Sequence, residues 1–142
     1  MQPPVDAKRL ISVSIPAMPD RLCLVRALVK RSAEAVGCSS ELCNQLVIAV
    51  NEACMNIIQH AYGGHGAGEI TLEILNNDSQ LFFRLEDDAS PVDLDTVRPR
   101  DLDDIRPGGL GVHFIREIMD RYEMGHRGGG AGNYLEMTKR IS

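Results

Sequence analysis

Apolar and polar residues change period several times along this chain, and each change marks an element. From Arg9 to Ile15 they alternate, as in a strand with one buried face, and Pro16 and Pro19 end the run. Over residues 20–36, Leu22, Val25, Leu28, Val29 and Ala33 recur at helical spacing, and Gly37 supplies the stop. Ser39 or Ser40 is placed to cap a second helix that runs to about Tyr62. A flexible break, Gly63 to Gly68, follows. Glu69–Leu75 and Gln80–Asp87 read as two strands, joined by Asn76-Asn77-Asp78-Ser79, residue types that favour a hairpin turn. Residues 88–107 carry Pro91, Pro99 and Pro107 among many charges and read as a loop. Structureless loops longer than about 12–15 residues are usually functional or disordered. Gly108-Gly109-Leu110-Gly111 opens a third helix, Val112 to about Tyr122, with Phe114, Ile115, Ile118 and Met119 on its apolar side. Gly125 to Gly132 is again glycine-rich, Tyr122–His126 leaves room for an extra strand, and Asn133 to Ile141 closes the chain as a strand.

Two strands joined by a tight turn imply an antiparallel or mixed sheet, and the grouped helices imply one helical layer on one sheet face. The expected fold is a two-layer α/β sandwich. The 142 residues suit one domain, 1–142, with a modest core, and the chain shows no internal repeat or domain linker. Hydrophobic residues make up 44% and charged residues 25%, the balance of a globular protein. A formal net charge of -5 argues against a chain built to coat nucleic acid or an anionic membrane. The first residues lack the apolar core of a signal peptide, and no stretch approaches the roughly 20 apolar residues that span a bilayer. A cytoplasmic location is the default expectation. The four cysteines form no C-x-x-C pair and the four histidines are scattered, so no zinc site is expected. Three of the cysteines fall in helical, partly apolar runs, and all four are read as small hydrophobes.

Three constellations could carry chemistry. Glu52 and Asn56 lie four residues apart in a mostly apolar helix, which puts both on one face about a turn apart. A carboxylate can deprotonate a nucleophile, and an Asn oxygen is a hard ligand suited to magnesium beside phosphates. The pair is equally compatible with two solvated positions on an amphipathic helix. Asp87-Asp88-Ala89-Ser90-Pro91 follows a strand directly. A carboxylate there can accept a hydrogen bond from an adenine amino group, or simply belong to an acidic turn. Gly108-Gly109-Leu110-Gly111 opens a helix, where a close backbone approach and free N–H groups favour phosphate. It is neither a Walker A loop nor a dinucleotide fingerprint, and by itself it also reads as a linker ending at a helix.

The order of these pieces says more than any one of them. Asn51-Glu52-Ala53-Cys54-Met55-Asn56-Ile57-Ile58-Gln59-His60-Ala61-Tyr62, then Leu85-Glu86-Asp87-Asp88-Ala89-Ser90-Pro91-Val92-Asp93, then Gly108-Gly109-Leu110-Gly111-Val112-His113-Phe114-Ile115 resemble the GHKL ATPase superfamily. Ile118-Met119-Asp120 and Gly132-Asn133-Tyr134-Leu135-Glu136-Met137 fit the same pattern. Within that group the chain is similar to the small anti-sigma-factor serine kinases of the RsbW type. The resemblance implies a Bergerat-type ATP-binding fold, an α+β sandwich whose mixed, mostly antiparallel sheet is covered on one face by three helices. It implies ATP and Mg2+ as cofactors, with Asn56 holding the metal against the phosphates and Glu52 as general base. Asp87 would bind the adenine amino group within the box that includes Ala89 and Pro91. Gly108, Gly109, Leu110 and Gly111 would meet the phosphates as a lid, residues 92–107, closes. Arg98, Arg100 and Arg106 are lid candidates for a γ-phosphate contact.

The reaction implied is phosphoryl transfer from ATP to a serine of a STAS-type anti-anti-sigma protein, with a sigma factor as second partner. It involves neither nucleic acid nor membrane directly. A homodimer is also implied, and an apolar strand-and-helix surface near the N-terminus would serve it. There are departures. The box usually reads D-x-G-x-[GP], and Ala89 stands at its glycine, which requires a negative φ there. A family hydroxyl near adenine has no clean counterpart; Asn133 stands roughly there, and Thr138 lies too far along. Ala89 therefore keeps a second reading open, a regulatory module that holds ATP and transfers nothing. A sensor histidine kinase fits less well, since His60 lies in the nucleotide-site helix and no phosphoacceptor helix pair is present.

Overall fold

Strands Lys8–Pro16 (β1), Glu69–Asn76 (β2), Gln80–Asp87 (β3), Arg121–His126 (β4) and Asn133–Arg140 (β5) form one sheet in the order β1-β2-β3-β5-β4. All four pairings are antiparallel, so the sheet contains no parallel pair among the described residues. Helices Leu22–Ala35 (α1), Ser40–Asn56 (α2) and Gly109–Ile118 (α3) form the second layer. The computed structural model describes residues 3, 6–62, 68–89, 109–128 and 132–141. None of the described helices is long and apolar enough to cross a membrane.

Alternation along the strands sorts the sheet into two faces. Leu72, Leu85 and Leu135 stand side by side in register, as do Ile74, Phe83 and Met137, and these face the helices. Val25 and Val29 of α1, Leu46 and Val50 of α2 and Ile115 of α3 close the core from the other side. The opposite face carries polar pairs. Arg84 bonds Glu86 and Glu136, each at 2.6 Å, and lies 4.9 Å over the Tyr134 ring. Arg9 pairs with Glu73 at 2.6 Å, and Ser14 meets Thr71 at 3.0 Å.

Local chemistry sets the element ends. Gly37 has φ +89, and its N–H and that of Cys38 bond the carbonyls of Glu34 and Ala33 at 3.0 Å each. This double closure ends α1 with its last carbonyls satisfied. Ser39, not Ser40, caps α2, its hydroxyl accepting from the Leu42 N–H at 3.1 Å. In the β2–β3 turn the Asn77 side-chain oxygen accepts from the N–H groups of Ser79 (2.9 Å) and Gln80 (2.8 Å).

Three sequence expectations need correction. The first helix begins with a short 3-10 turn, Pro19–Arg21, before α1. The third helix ends at Ile118 instead of about Tyr122. The Asp120 N–H bonds the Thr138 carbonyl at 3.0 Å, so the chain has already joined the sheet and β4 follows at once. Cys43 and Cys54 are buried as expected, but Cys23 is exposed and does not serve the core. Burial pushes the Cys54 thiol up to about 12, so it stays protonated at neutral pH.

Ser39→Ala should lower the unfolding free energy by about 1 kcal/mol, and Ser40→Ala by less than about half that. Urea titrations of the two variants check the assignment of the cap.

Candidate functional site

One side of α2 is buried from Cys43 onward, through Leu46, Ala49, Val50, Ala53 and Cys54. Asn56 continues that side and is only 5% exposed. Its Oδ1 and Nδ2 are both buried with no hydrogen-bond partner among the described residues. An unpaired buried amide costs roughly 1–3 kcal/mol, so both atoms are suited to a ligand that supplies what the chain does not. The reading of Asn56 as a solvated surface position is thereby overturned. Glu52, one turn earlier, is half-buried, and burial alone raises its pKa. No described residue offers it a hydrogen bond or an opposite charge. Its neighbour Asn51 is engaged by Arg26 of α1 at 3.0 Å.

Beyond Asn56 the helix widens into a π-turn, Ile57–Ala61, closed by the Tyr62 N–H on the Ile57 carbonyl at 3.2 Å. Such turns recur at functional sites. Gln59 sits within it, and its Oε1 is a further buried acceptor with no partner among the described residues.

The second part of the site lies at the end of β3. Asp87 is 3% exposed and pairs across the sheet with Asn133. Its Oδ1 accepts from the Asn133 side chain at 2.9 Å and from the Ala89 N–H at 3.0 Å. Burial raises the Asp87 pKa, and the bonds from Asn133 and Ala89 oppose that rise. Ala89 is buried, and no non-glycine residue among those described has a positive φ, so its Cβ imposes no backbone strain. Thr138 pairs with Phe82, near the far end of the ladder and on the other face, and takes no part here.

Three residues outside the expected set hold this corner. Tyr62 donates its hydroxyl to the Glu69 carbonyl at 2.8 Å and accepts from the Asp88 N–H at 2.9 Å. Arg127 reaches the Asp87 carbonyl at 3.2 Å and the Asp88 carboxylate at 2.7 Å, and lies 3.3 Å from Glu86. Gly132 has φ +91, and a Cβ on it would fall 2.0 Å from the Asp87 carbonyl oxygen. Tyr62 and Gly132 stood inside the quoted motifs, but only the fold shows what they touch.

Gly109, Leu110 and Gly111 form the first turn of α3, which packs beside α2. Pro91, Gly108 and the lid arginines Arg98, Arg100 and Arg106 lie outside the described residues. Among the described residues no three His, Cys, Asp or Glu side chains converge as a metal cluster.

Comparison with known proteins shows the family and the fold. The profile of the histidine kinase-like ATPase domain matches residues 15–139. The serine-protein kinase RsbW of Listeria monocytogenes is 34% identical over 140 residues, covering 93% of this chain and 87% of the relative. That of Bacillus subtilis is 27% identical, covering 93% and 86%. Among solved structures, one from the SiaB–SiaC complex of Pseudomonas aeruginosa superposes with a TM-score of 0.62 at 13% identity, covering 94% of this chain and 91% of that one. At that identity the likeness speaks for the fold alone. The matched profile spans the helix bearing Asn56, the strand ending at Asp87 and the turn opening α3, and the chain belongs to the histidine kinase-like ATPase family, among its RsbW-type members.

Proposed function

We propose that this chain is an ATP-dependent serine/threonine protein kinase that also serves as an anti-sigma factor. The observation that carries the reading is Asn56, a buried amide whose two polar atoms have no partner among the described residues, one turn beyond a Glu52 that likewise has none among them. Relatives named serine-protein kinase RsbW support it.

In this reading Asn56 would hold Mg2+ through Oδ1, and the metal would neutralise charge on the nucleotide phosphates. ATP supplies the phosphoryl group that an incoming serine hydroxyl accepts. Glu52 takes the hydroxyl proton, and its raised pKa suits that task. Asp87 accepts from the adenine amino group with Asn133 and Ala89 beside it. The α3 turn at Gly109 and Gly111 offers backbone N–H groups to phosphate, with Gly108 and Leu110 adjoining. The substrate is a STAS-type anti-anti-sigma protein and the second partner a sigma factor. The chain acts in the cytoplasm as a single domain. Exposed Leu10 on β1 and Leu24 on α1 supply apolar surface for a homodimer.

Asn56→Ala should lower Mg-ATP affinity at least tenfold, read by isothermal titration. Glu52→Gln should bind Mg-ATP within about twofold of wild type, yet phosphorylate a STAS-domain protein from the same genome at least a hundredfold more slowly. Mass spectrometry of that protein reads the second outcome. Retained phosphorylation removes the base role from Glu52. An unmodified partner that still binds makes the chain an ATP-holding module, and no heat from wild type with Mg-ATP overturns the nucleotide reading itself.

The same glutamate predicts a pH effect. Its folded pKa lies above its unfolded one, so the protonated form favours folding. That contribution is full below the ordinary Glu range of about 4 and is lost as pH rises through the folded pKa. Glu52→Gln, which never ionises, should therefore melt above wild type at pH 7–8, with the gap closing near pH 4. Thermal melts across that range check it.

A further inference from the structure

We propose that Tyr62 and Arg127 are positioning residues for adenine recognition, gripping the Asp87–Asp88 peptide group by both of its polar atoms. The inference rests on the nucleotide reading above and concerns how Asp87 is aimed. Asp87 is the last residue of β3, where the regular ladder ends. The next peptide group would be free to turn, and with it the carboxylate that precedes it. Instead its carbonyl accepts from Arg127 at 3.2 Å and its N–H donates to the Tyr62 hydroxyl at 2.9 Å. A peptide plane is rigid, so holding its two ends fixes the backbone on both sides of it.

Each grip is itself held. The Tyr62 hydroxyl also donates to the Glu69 carbonyl at 2.8 Å, which ties it to the start of β2. Its ring lies so close to Gly68 that a Cβ there would fall 2.3 Å from the ring. Arg127 is fixed by the Asp88 carboxylate at 2.7 Å, and its own N–H bonds the Gly132 carbonyl at 3.0 Å. Gly132 in turn leaves the space that the Asp87 carbonyl occupies. Tyr62 follows directly on the π-turn after Asn56, so one residue joins the helix of the proposed metal ligand to the strand end of the proposed base contact.

The test compares ATP with inosine triphosphate, which lacks the amino group a carboxylate accepts from. Affinities of both magnesium complexes are measured by isothermal titration for wild type, Tyr62→Phe and Arg127→Gln. Wild type should prefer ATP. Each variant should lose about tenfold in ATP affinity while changing less than twofold toward inosine triphosphate, the loss expected when one fixed hydrogen bond no longer aims the acceptor. General loosening would lower both affinities alike and leave their ratio unchanged. An unchanged ratio in both variants overturns the clamp and leaves nucleotide binding standing. A wild type that binds ATP and inosine triphosphate equally overturns the clamp together with the adenine role of Asp87. Gly68→Ala, whose Cβ would fall 2.3 Å from the Tyr62 ring and 2.8 Å from its hydroxyl oxygen, keeps the hydroxyl but displaces it, and should reproduce the Tyr62→Phe ratio.

Discussion

Leu46, Ala49, Val50, Ala53 and Cys54 are all 0% exposed and seat α2 against the rest of the core. Two alanines in that stripe let the helix lie close, and the larger side chains beside them fill the space. The rotation of α2 is therefore decided before any polar residue is considered. Asn56 falls at the end of the same stripe and is buried with it. Turning the helix to expose the amide would also carry Ala49, Ala53 and Leu46, which share its side of the helix, toward solvent, and a buried leucine alone contributes about 1.5–3 kcal/mol. That is comparable to the roughly 1–3 kcal/mol that one unpaired amide costs, and several apolar residues stand against a single amide. Apolar burial thus wins and keeps in place an amide that the described residues leave unsatisfied.

The two carboxylates of the site are tuned by different surroundings. Both have pKa values raised by burial. Asp87 receives hydrogen bonds from Asn133 and Ala89, which favour its ionised form and hold it as an acceptor. Glu52 receives none from the described residues, so nothing there opposes the rise in its proton affinity. In the proposed function, that difference suits Asp87 to accept a hydrogen bond and Glu52 to take a proton. Arg84 and Glu136 form a closer ion pair, but on the opposite face of the sheet, where they bind the strands together.

What the sequence made legible follows from the range of the interactions. The strands and helices announced themselves through period, and Asn56, Glu52 and Asp87 stood out as candidates through residue type and order. The end of α3 did not, because it is set by Asp120 reaching the Thr138 carbonyl on a distant strand. Tyr62 and Arg127 escaped for the same reason. Tyr62 meets Asp88 across 26 positions and Arg127 meets Asp87 across 40. Neither spacing forms a local pattern. Even Asn56 could be read from sequence as a surface residue, since the choice between buried and solvated depended on how α2 sits.

Ala89 shows how a local departure is absorbed. A glycine at that position would offer freedom of φ and room for a ligand. The chain needs no positive φ there, and it uses the Ala89 N–H to anchor the Asp87 carboxylate. The crowded point lies instead at Gly132, where positive φ and a missing Cβ let β5 begin directly against the Asp87 carbonyl. That close approach brings Asn133 within 2.9 Å of the carboxylate on the neighbouring strand. Freedom at one glycine, with hydrogen bonds from Ala89, Asn133, Tyr62 and Arg127, fixes the turn after β3 without a glycine inside it.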